Sequence, residues 1–100
     1  MNEQPMSDAE RTLAEHRWAV RVNLPTDARH AAQLARRLVG VATYCHVPVS
    51  AEVLGAVEIL EQWAGEVSRQ VDAERAELER SGLDDATFQR HLERGGDAPA

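Results

Sequence analysis

The side chains best suited to chemistry stand together at Tyr44-Cys45-His46, a thiol beside an imidazole. Thiolate catalysis and metal binding both use those residue types. Their spacing argues against either use. Neighbours on a helix point about 100° apart, so Cys45 and His46 do not meet, and Cys45 falls on an apolar stripe where a buried, inert thiol is expected. His16, His30, His46 and His91 form no H-x-x-x-H pair, and Asp27 with His30 is the only acid–histidine pair at i,i+3. One such pair is not a metal site. Position 62 is Gln62, so Glu58 has no carboxylate partner at i,i+4. No glycine loop of the phosphate-binding type occurs. Neither an enzyme, a metal nor a cofactor is expected.

What the sequence writes clearly is a scaffold. Ala31, Leu34, Ala35, Leu38, Val41, Ala42 and Cys45 recur at steps of three and four, one stripe of a helix whose other side carries Arg29, Gln33, Arg36, Arg37 and Thr43. Thr26 is the N-cap this pattern suggests, and Pro48 ends the helix near His46 by favouring an extended Val47. Ser50 then caps a second helix with the stripe Val53, Ala56, Val57, Leu60, Trp63, Ala64, Val67 and Val71. Gly82 supplies the left-handed residue that closes it. The expected fold is mainly α: a long antiparallel helical hairpin over 27–80, a short C-terminal helix over 85–94, and an N-terminal helix or strand. These make one helical domain over 7–94, with residues 1–6 and 95–100 disordered.

One hundred residues with four aromatics give a thin core of Ala, Val and Leu. A second copy covering Leu34, Leu38, Val41, Val53, Val57, Leu60, Trp63 and Val67 is the usual remedy, so a homodimer is expected. A single cysteine excludes an internal disulfide and suits a reducing compartment. The longest apolar run, 38–42, is too short to span a membrane, and residues 1–12 hold no apolar leader. A soluble, cytoplasmic protein without membrane contact is expected.

The net charge of −6 is uneven. Residues 1–50 carry six Arg against five acids, and residues 51–100 carry five Arg against twelve. The second helix outruns a first helix that starts at 27, leaving a charged arm over 71–80. Val71, Glu74 and Leu78 on that arm, with Phe88 and Leu92 on the last helix, form the expected contact surface for a basic or apolar partner groove. Helix-in-groove docking uses anchors at this spacing. The leading functional expectation is therefore a small, regulatory, non-enzymatic interaction protein that dimerises and docks a protein partner through its acidic C-terminal half.

The stretch before the hairpin reads two ways. Ser7-Asp8-Ala9-Glu10 has the capping-box pattern of a helix start. As a strand, Trp18, Val20, Val22 and Leu24 fall on one face, with Ala19, Arg21 and Asn23 on the other. Val20-Arg21-Val22-Asn23-Leu24-Pro25, followed by a helix, a connector and a Ser50-led second helix, resembles the ribbon-helix-helix repressors over residues 18–60. That resemblance implies a ribbon-helix-helix fold with a helical tail. It makes Arg21 and Asn23 base-contacting residues in the DNA major groove and the amides near Ser50 a phosphate anchor. The acidic tail would then look like the toxin-neutralising half of an antitoxin. The chain departs from the family in lacking a Gly-x-Ser connector and in its long second helix.

Overall fold

The computed structural model describes residues 5–95, which are mainly helical, with three helices and no strand among them. Helix α1 is Asp8–Tyr44, α2 is Ala51–Ser81 and α3 is Asp85–Glu93. Among the described residues no helix is long and apolar enough to cross a membrane. Of the termini expected to be disordered, residues 1–4 and 96–100 lie outside the described residues.

Local chemistry sets the helix ends. At the start of α1 the Glu10 amide donates to Ser7 Oγ and the Ser7 amide donates to Glu10 Oε1, each at 3.1 Å. This is a reciprocal capping box. At its end the Val47 amide donates to the Ala42 carbonyl and the His46 amide to that of Thr43. Those bonds make a Schellman turn with His46, at φ 60°, as its left-handed residue. Ser50 Oγ accepts from the Val53 amide to open α2, and Gly82 follows α2 at φ 70°. Asp84 caps α3 by accepting from the Thr87 amide at 2.8 Å.

The disputed residues 18–24 are helix, and α1 begins nineteen residues before the start expected at 27. Thr26 stands inside α1 and does not cap it. Pro25 is interior too, where its missing N–H and its ring weaken a helix by about 3 kcal/mol. The proline ring is buried, so packing works against that penalty.

Two compact units divide the chain. The first holds residues 5–22 and 73–95, and the second residues 23–72. In the first, Ala14, Trp18, Ala86 and Phe88 are buried. Trp18 meets Phe88 edge-to-face, with ring centroids 5.4 Å apart, an arrangement that suits the ring quadrupoles. In the second, Ala28 and Ala32 of α1 form a buried cluster with Ala64 of α2, and Leu60 packs against it. Side chains this small let helix backbones approach closely. Val57, Val67 and Val71 are buried as well.

Candidate interaction surface

In the first unit, charge is spent on holding the unit together. Arg21 Nε and Nη2 donate to the two carboxylate oxygens of Glu74, both at 2.6 Å. Arg17 reaches Glu93 at 2.6 Å and Arg11 reaches Asp84 at 3.0 Å. The Glu74 hydrogen bond holds the Arg21 pKa above its ordinary value. Hydrogen bonds from Arg17, then Gln89, hold the Glu93 carboxyl below the usual carboxylate range. The Thr87 amide does the same for Asp84, with Arg11 adding to it. Gln89 is buried and donates to Glu93, while its Oε1 has no hydrogen-bond partner among the described residues.

These contacts involve residues of the expected partner surface. Phe88 is 1% exposed, Val71 is buried, Leu78 and Leu92 are half-buried, and Glu74 is committed to Arg21. Among the described residues the 71–80 arm is not bare: α1 extends back to Asp8, and its Arg21 holds Glu74, while Arg17 holds Glu93 on α3. The residues carried over from the repressor resemblance are also placed differently. On a helix Arg21 and Asn23 point about 200° apart, where on a strand they would share a face. Ser50 serves as the α2 cap.

In the second unit, Leu34, Leu38 and Val41, expected on the stripe that a second copy covers, are 56%, 59% and 50% exposed within the single chain. Ile59 is 67% and Trp63 44% exposed, and Val53 also lies open. Cys45, expected to be buried, is exposed for the same reason: its stripe turns outward. The inward positions of α1 are its alanines. Sequence reasoning passed over Ile59 altogether. Its signal was the spacing Ala56, Ile59, Trp63, one residue ahead of the inward-facing Val57, Leu60, Ala64, of which Val57 and Ala64 are buried and Leu60 half-buried.

The unit also has a polar side. Arg36 pairs with Glu61 at 2.6 Å, which lowers the Glu61 pKa and raises that of Arg36. Beside them runs an open groove of about 450 Å³ lined by Arg29, Gln33, Glu61, Gly65, Ser68 and Arg69. Among the described residues no group of three His, Cys, Asp or Glu converges as metal ligands would.

Comparison with protein-family models, with curated proteins and with solved structures finds no match.

Proposed function

We propose that this chain is a non-enzymatic helical-hairpin interaction module. It binds protein through one apolar face, built by Leu34, Leu38 and Val41 on α1 with Ile59 and Trp63 on α2. The observation that carries this reading is the exposure of these five large side chains beside a seam of buried alanines.

Helix geometry gathers them. Ala28 and Ala32 cluster with Ala64 and, further along α1, Arg36 meets Glu61, earlier on α2. Such contacts suit helices running in opposite directions. Arg36 and Glu61 each follow a seam residue, Ala35 and Leu60, by one position, and they share a side. In antiparallel right-handed helices the positions one before the seam then share the other side. Leu34, Leu38, Ile59 and Trp63 all occupy such positions. Leu34 is level with Trp63, and Leu38 with Ile59. Together the five residues expose roughly 500 Å², within the range of the largest apolar patch on a monomer, a patch that is often functional.

The test is a photo-crosslinking residue placed in the full chain, expressed in its native host, at Ile59 or, as a control in the polar groove, at Ser68. The expected result is a discrete protein adduct from position 59 and none from 68. Equal labelling from both positions, or none from 59, would overturn the reading.

A further inference from the structure

The occupant of that face follows from size and charge. The inference rests on the reading of the face as a protein contact surface and names what covers it. We propose that a second copy of this chain sits there. The two copies are related by a two-fold axis running along the helices, so that α1 of each lies across α2 of the other.

Core volume is the first argument. The buried side chains of α1 and α2 in the second unit are small, Ala28, Ala32 and Ala64 with Val57, Val67 and Val71, and Leu60 is only partly buried, while Leu34, Leu38, Val41, Ile59 and Trp63 are exposed. Alanine buries little area, and apolar stabilisation scales with area removed from water. Placing two such helix pairs face to face turns Leu34, Leu38, Val41, Ile59 and Trp63 into the centre of a four-helix bundle. Roughly 500 Å² from these five residues per copy, plus the polar margin around them, approaches the ~800 Å² per partner of a stable interface.

Charge selects the arrangement. The charges of the polar side, Arg29, Arg36, Glu61 and Arg69, lie away from the face. On the side of the face α1 carries His30 and Arg37, with Asp27 further back, and α2 carries Glu52 and Glu66. Laying α2 on α2 would set acid against acid, whereas the crossed arrangement sets the His30 and Arg37 rim of each copy against the Glu66 rim of the other, and it is self-complementary as a two-fold interface must be. It places Leu38 of one copy over Ile59 of the other. His30, beside Leu34 and Arg37 at the rim of the face, comes level with Glu66 of the other copy.

Sedimentation equilibrium of the full chain, over a wide concentration range, tests this. The expected mass is twice the 11.1 kDa of one chain. Leu38→Glu should raise Kd about a hundredfold or more, as central anchors do, with unchanged far-UV circular dichroism because Leu38 is exposed in the single chain. His30→Glu should raise Kd roughly tenfold at low ionic strength, each rim contact occurring twice, and adding Glu66→Arg should restore it. A chain that stays monomeric into the millimolar range, or a dimer indifferent to Leu38→Glu, would overturn the second copy. Failure of Glu66→Arg to rescue His30→Glu would overturn the crossed arrangement. A monomer that still gives an adduct from position 59, with a different protein, rejects the second copy and leaves the contact-surface reading standing.

Discussion

Arg21 and Glu74 are locked in a two-pronged ion pair, 2.6 Å on each prong, with the Glu74 side chain only 12% exposed. The pair ties α1 to α2 inside the first unit, and both residues had been candidates for outside partners. Bidentate geometry and partial burial lift such a pair above ordinary surface bridges. Arg21→Ala and Glu74→Ala should each cost about 1–2 kcal/mol, because each strands a shielded charge. The double variant should cost much less than the two losses added together. Urea midpoints of the four proteins in the cycle provide the measurement, and strict additivity would mean that the two groups do not interact in solution.

The first unit depends on one aromatic contact. Phe88 is 1% exposed and edge-on to Trp18, whose own exposure is 6%. Phe88→Ala should therefore cost about 3–5 kcal/mol and release α3, with a red shift of Trp18 emission as its ring meets water. Leu13→Ala, in the same unit but at an exposed position, should move stability by no more than about 0.5 kcal/mol. Similar losses from the two would remove Phe88 from the role of anchor.

Acid should loosen this same unit. Glu93 and Asp84 both have folded pKa values held below the usual carboxylate range, by the Arg17 guanidinium and the Thr87 amide respectively. A carboxyl of this kind stabilises the fold while it is ionised. Its contribution is full above the unfolded value, near 4, and is gone once the pH has dropped through the lowered folded value. Melting temperature should thus be flat from neutral pH to about 5 and fall below about 4. Glu93→Gln, which keeps an acceptor but cannot ionise, should start lower at neutral pH and fall less steeply in acid. An identical acid slope in that variant would exclude Glu93 from the effect.

Some of this was legible in the residues and some was not, and the division is physical. Capping is local: Ser7 with Glu10, Ser50, Gly82 and Asp84 each announce a helix boundary within a few residues. The continuity of α1 was hidden by Pro25, which by propensity argues for a break and is overruled by burial. His46 in a left-handed turn carried no compositional flag at all. The hardest matter was which stripe of α1 faces inward. Two stripes run along it one residue apart, Ala28-Ala32-Ala35-Val39-Ala42 and Ala31-Leu34-Leu38-Val41-Cys45, both at three-four spacing. Ranking by hydrophobicity picks the leucines. Close helix approach picks the alanines, and that distance is a property of two helices, invisible in the pattern of one.

The choice between those stripes can be tested directly, because the two assign opposite costs to neighbouring positions. If the alanines are the seam, Ala32→Leu forces a large side chain against Ala64 and Leu60 and should cost about 1–3 kcal/mol by overpacking. If the leucines were the seam, the same change would fall on an outer flank and be nearly neutral. Leu34→Ala gives the converse when measured at concentrations low enough to hold the chain monomeric. With its side chain 56% exposed, it should change stability by well under 1 kcal/mol, where a buried leucine would lose about 2–5. Thermal unfolding of the two variants side by side decides the matter. A tolerant Ala32 with an intolerant Leu34 would reverse the inside and outside of the second unit and remove the face on which its binding role rests.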